Sequence, residues 1–80
     1  MSFMFEVFYK PPPDKTKETI LARQVTALGG RLDYREDPQE AGPGGVCLTF
    51  EFDDLDSAQR AAAKLRDQGE YIEGPVDYGP

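Results

Sequence analysis

The chain has no histidine, a single cysteine and no long apolar run. Histidine is the side chain that most often moves protons near neutral pH and the commonest metal ligand, so its absence removes most acid–base and metal chemistry. Cys47 alone cannot form an internal disulfide, and without histidine it cannot complete a structural zinc site. A reducing, cytoplasmic location is the expectation that follows. No stretch approaches the ~18 apolar residues that span a bilayer, and Met1-Ser2-Phe3-Met4 opens no cationic segment followed by an apolar one. A secretory signal and a membrane anchor are therefore not expected.

Positive charge is also scarce. Fifteen acidic residues stand against nine basic ones, a formal charge of −6. Phosphate backbones and anionic lipids are held through Lys and Arg, so nucleic acid and membrane are not the expected partners. Eighty residues fit one domain, 1–80, around one core. A chain of that size buries only roughly 60% of the surface its unfolded form exposes, so a partner that covers more of it adds stability.

What is present alternates. Phe3 to Tyr9 is aromatic and β-branched and is stopped by Pro11-Pro12-Pro13, the pattern of a strand. Phe3, Phe5, Val7 and Tyr9 fall on one side of it, Met4, Glu6 and Phe8 on the other. Asp14 is placed to cap a helix on which Ile20, Leu21, Val25 and Leu28 share an arc, closed by Gly29-Gly30. Arg31 to Arg35 alternates as a half-buried edge strand, and Asp37 to Gly45 is a turn-rich loop. Val46, Leu48, Phe50 and Phe52 then point inward while Cys47, Thr49 and Glu51 point outward. Asp54 or Asp56 opens a second helix, Asp56 and Gln59 having capping-box spacing, with Leu55, Ala58, Ala61, Ala62 and Leu65 on one face. After Gly69, Tyr71-Ile72-Glu73 starts a last strand, and the Gly74-Pro75 interruption fits an edge or a bulge.

The order βαββαβ predicts an α+β sandwich of the ferredoxin-like type. Its four-stranded antiparallel sheet has the first and third strands at the centre and both helices on one face. Gly69-Glu70-Tyr71-Ile72-Glu73-Gly74 also resembles the Gly-Glu-Tyr-Asp-Gly signature near the end of bacterial proteins of the ribonuclease E activity regulator B type. It departs from that signature at Ile72-Glu73, and Pro75 stands where the family has tryptophan. The resemblance implies the same βαββαβ plan, an acidic balance and inhibition by binding an enzyme.

The helix-free face is the candidate site, carrying Met4, Glu6 and Phe8 from the first strand and Cys47, Thr49 and Glu51 from the third. Arg31, Asp33 and Arg35 are expected to join it from the edge. Glu6 and Glu51 as cross-strand neighbours would make a carboxylate pair, but hydrated carboxylates on an open face pair with Arg31 or Arg35 instead of acquiring divergent pKa values. RNA-binding sheets of this architecture stack bases on aromatics of both central strands; Phe8 fits, whereas Cys47, Thr49 and Glu51 neither stack nor neutralise phosphate. Gly42-Pro43-Gly44-Gly45 joins two strands and does not lead into a helix, so it is not a phosphate cradle. Cys47 lacks a histidine to activate it.

No catalytic, cofactor-binding or metal-ligating set is assigned. The first expectation is a non-enzymatic regulatory or protein-interaction module acting through the open face or as a homodimer. The second is a small-ligand-binding or oxygenase-like ferredoxin-fold dimer, with a cavity between helices and sheet lined by Phe3, Phe5, Tyr9, Tyr34 and Phe50.

Overall fold

The prolines and glycines cut the chain where the alternation predicts. A computed structural model describes residues 2–37 and 45–79. It contains β1 (Phe3–Tyr9), α1 (Lys15–Ala27), β2 (Arg31–Glu36), β3 (Val46–Phe52), α2 (Leu55–Asp67) and β4 (Tyr71–Asp77). The strands form one antiparallel sheet in the order β2-β3-β1-β4, with β1 and β3 central. This is the ferredoxin-like α+β fold. Most of the loop expected over Asp37–Gly45, residues 38 to 44, lies outside the described residues. No helix of the described residues is long and apolar enough to cross a membrane.

Each helix is delimited by its own chemistry. The Asp14 side chain accepts the Lys17 amide at 3.0 Å and Asp54 accepts that of Ser57 at 2.8 Å, each cap satisfying one of the orphan amides of its helix's first turn. Asp54 is thus the cap of α2. Asp56 falls inside the first turn, too late to cap, and lies 4.0 Å from Arg60 as an exposed i,i+4 pair. Both helices end in a Schellman motif. Gly30 N–H donates to Val25 C=O (2.9 Å) and Glu70 N–H to Leu65 C=O (3.0 Å), across left-handed Gly29 and Gly69.

One face of the sheet meets the helices. Phe5, Val7, Val46, Phe50 and Phe52 are fully buried there with Val25, Ala58, Ala61, Ala62 and Leu65. The Phe5 ring stacks on Phe52 at 5.5 Å and tilts against Phe50 at 5.8 Å, so large aromatics fill the layer beneath the helices. The small alanines of α2 let its backbone lie close over that aromatic floor. Two apolar residues expected on the inner helix faces are outside: Ile20 is exposed one position short of the Leu21–Val25 seam, and Leu55, the first residue of α2, is exposed as well.

Bulges interrupt both edge pairings. On β2, Leu32 faces Phe50 but Tyr34 faces Thr49, so Asp33 is the extra residue. On β4, Val76 faces Met4 but Glu73 faces Glu6, leaving Gly74-Pro75 opposite Phe5. Gly74 has φ +104°, and a Cβ on it would lie 2.9 Å from the Met4 carbonyl oxygen and 3.1 Å from Phe5 Cα. Only glycine fits that approach. From the end of α2, Arg66 Nη2 donates to the Gly74 carbonyl at 2.9 Å and holds the bulge from the helix side.

Candidate functional site

Directly opposed residues of neighbouring strands share a face of the sheet, so the register maps the helix-free side. Met4 lies between Glu51 and Val76, Glu6 between Thr49 and Glu73, and Phe8 between Cys47 and Tyr71. The six residues expected there, Met4, Glu6, Phe8, Cys47, Thr49 and Glu51, are brought together on the two central strands.

The edges depart from expectation, and the Asp33 bulge is the reason. One extra residue reverses the facing of everything after it. Arg31 stays on the open face opposite Glu51, but the residues that follow the bulge there are Tyr34, opposite Thr49, and Glu36, opposite Cys47. Arg35, expected on the open face, turns to the helix side. Tyr34, expected to line an inner cavity, is instead 54% exposed, and Leu32 is about half exposed.

The β4 edge adds Tyr71, Glu73 and Val76, which sequence reasoning did not place on the face although the inward Ile72 between Tyr71 and Glu73 signalled it. Tyr71 meets Phe8 edge-on, ring centroids 6.0 Å apart. Phe8, Tyr9, Lys10, Tyr71 and Glu73 line an open, largely apolar depression at that end of the sheet. Met4 and Val76 continue the apolar strip beyond Glu6 and Glu73.

The carboxylates of the face fall into two kinds. Glu51 is neutralised: it accepts from Ser2 Oγ and from Arg31 Nε (3.1 Å), and Arg31 also reaches Asp53 at 3.0 Å. The Ser2 hydrogen bond and the Arg31 charge hold Glu51 below the usual carboxylate range. Glu6, Glu36 and Glu73 have no Lys or Arg within ion-pair distance among the described residues. Glu51 pairs with Arg31 as expected, whereas Glu6 has no such partner among the described residues; it lies opposite Thr49 on one side and Glu73 on the other.

Cys47 is buried although it points to the open side. Its thiol donates to Glu6 Oε2 at 3.5 Å, and burial with the adjacent Glu6 charge pushes its pKa up to about 12. A thiol so protonated is a poor nucleophile. No group of three or more His, Cys, Asp or Glu is placed to hold a metal ion among the described residues.

A second polar cluster sits on the helix side and ties three elements together. Tyr9 donates its hydroxyl proton to Glu18 and accepts the Asp14 amide at 2.8 Å; Arg35 Nε donates to Glu18 Oε1 at 2.6 Å and Nη1 to Asp37. Burial raises the Tyr9 pKa, and its bond to Glu18 raises it further. Burial alone would raise Glu18 too, but the hydrogen bonds from Arg35 and Tyr9 outweigh it and leave Glu18 low. Each group is answered by a neighbour, so the cluster reads as a clamp between β1, α1 and β2.

No family model, no curated protein and no solved structure matches this chain.

Proposed function

We propose that the protein is a non-enzymatic regulatory or interaction module that works through its open sheet face, on another protein or on a second copy of itself. The observation that carries the reading is the strip formed by Met4, Phe8, Tyr71 and Val76. It consists of two apolar cross-strand pairs, Phe8–Tyr71 and Met4–Val76, on either side of Glu6 and Glu73, and Tyr71 and Val76 are each more than half exposed. Large apolar groups left exposed side by side on a small domain mark an interface, and covering them adds burial to a modest core. The alternative, a ligand cavity between helices and sheet, has less behind it. Of its proposed lining, Phe5 and Phe50 are packed ring against ring, and Tyr34 lies on the other side.

The resemblance to ribonuclease E activity regulator B-type proteins fits the same reading. The stretch that carries it runs into β4 and its matching Tyr71 stands on the open face, where an inhibitor acting by binding would present it; Glu73, on the same face, is a departure from the signature. The single cysteine, Cys47, without a disulfide partner, suits a reducing cytoplasm.

The test compares the wild type with Phe8→Asp by sedimentation equilibrium and by capture of native partners from cytoplasm. The expected result is an association, with self or with a partner, that Phe8→Asp abolishes while the thermal midpoint is retained. A strict monomer at high concentration, with capture and solubility unaffected by the substitution, would sink the proposal.

A further inference from the structure

The charge distribution on the open face distinguishes between the possible occupants. Glu6 and Glu73 stand directly opposite each other on neighbouring strands, a like-charge arrangement that costs stability. The Phe8–Tyr71 pair lies immediately to one side and Met4–Val76 to the other. Glu36 adds a third carboxylate from the far edge, while the Arg31 guanidinium is already shared between Glu51 and Asp53. A second copy brings a surface of the same net sign to an isologous contact, three open carboxylates on each side. Lys10 at the rim of the depression supplies one cation per copy against three open carboxylates, too few to reverse that repulsion.

A cationic side chain with a long apolar stem answers both parts of the surface. Its methylenes lie on the aromatic depression, its charge can rest over the exposed Tyr71 ring, and its head reaches the carboxylate pair. A guanidinium does this best, because its planar fork takes two carboxylate oxygens at once. We infer that the open face receives a basic protein segment, with an Arg or Lys stem laid over Phe8 and Tyr71 and its charge between Glu6 and Glu73. The inference rests on the interaction role proposed above and narrows its partner.

The probe is an acetylated Arg-Val-Arg-Val-Arg amide, titrated into the full chain and followed by amide chemical shifts. The expected perturbations centre on residues 4–8 and 71–76. Glu6→Gln combined with Glu73→Gln should weaken binding by about tenfold, a single decade in Kd. Asp56→Asn combined with Asp67→Asn removes the same charge from exposed positions on α2 and should leave the affinity unchanged. An absence of binding, perturbations mapping to the helices, or equal weakening by the two double variants would overturn the inference. Sedimentation separates its failure from that of the broader role. A dimer broken by Phe8→Asp overturns the basic partner and keeps the interface; a monomer indifferent to Phe8→Asp, with no peptide bound, removes both.

Discussion

Replacing Glu73 by lysine should make the protein more stable while destroying the surface it is proposed to use. Glu73 is exposed on the β4 edge, directly opposite Glu6. Opposed Cβ atoms lie about 5 Å apart in an antiparallel pair; for two carboxylates taken as about 7 Å apart the bare repulsion in water is about 0.6 kcal/mol. Screening over a Debye length of about 10 Å at 0.1 M salt halves this to about 0.3 kcal/mol. Lysine turns the repulsion into an attraction of similar size, so Glu73→Lys should gain about 0.6 kcal/mol at 0.1 M salt and about 1 kcal/mol when salt is low. Glu73→Gln, which only removes the repulsion, should gain about half as much. For a chain of this size 1 kcal/mol moves the thermal midpoint by about 4–8 °C, so the difference is measurable by calorimetry or urea unfolding. The gain should vanish at about 1 M salt, where the Debye length is about 3 Å, and in a Glu6→Gln background. A gain independent of salt or of Glu6, or no gain beyond that of glutamine, would refute the electrostatic account. If Glu73→Lys gains stability and loses the peptide probe together, the like-charge pair is a cost retained for binding.

Two further outcomes follow from the other polar groups. Glu18→Gln should cost about 1–2 kcal/mol at pH 7, discounted because Arg35 is about a third exposed. Glu18 is held below its ordinary value of 4.5, so its stabilisation is fully present above that value and is lost as the pH falls through the folded value. Unfolding curves of variant and wild type should accordingly converge in acid, and a constant gap down to pH 2 would contradict the clamp. Cys47, pushed to about 12 from 9.0, should react with an aromatic disulfide reagent at pH 8 at least about thirtyfold slower than in urea, the loss of thiolate being partly offset by its greater nucleophilicity. Native labelling at the unfolded rate would show that its burial is not maintained.

The centre of the sheet was legible from the sequence and its edges were not, for a physical reason. On β1 and β3 every second residue is a large apolar group, and a one-residue slip would expose Phe5, Phe50 and Phe52 together, so burial enforces the register. On β2 no such penalty operates. Leu32 and Tyr34 are both about half exposed, and the strand can take up an extra residue at Asp33 without uncovering the core. Nothing local in Arg31 to Glu36 marks the bulge. The signal was non-local: Glu18 on α1 needs a cation, and only by turning Arg35 to the helix side does the edge supply one. The β4 bulge was legible, because Gly74-Pro75 carries its own chemistry.

These two bulges also decide what the candidate site is made of. Without the shift at Asp33, Arg35 would stand on the open face beside Arg31 and compensate part of its acidity; with it, the guanidinium is spent on Glu18 and a tyrosine takes the place. Without the shift at Gly74-Pro75, Tyr71 and Glu73 could not keep their places beside Phe8 and Glu6 while Val76 kept its place beside Met4. Bulges at sheet edges re-aim side chains and also blunt an edge against pairing with another strand. Both edges of this sheet are interrupted in that way, which argues against partners that add a strand to either side. That favours the proposed docking on the flat face, where side chains and not backbone groups would do the reading. A partner held by side chains must answer both the aromatic strip and the carboxylates beside it. For that reason the Glu6→Gln and Glu73→Gln pair, tested against Phe8→Asp, resolves the charge from the apolar contact in a way that no truncation of an edge strand would.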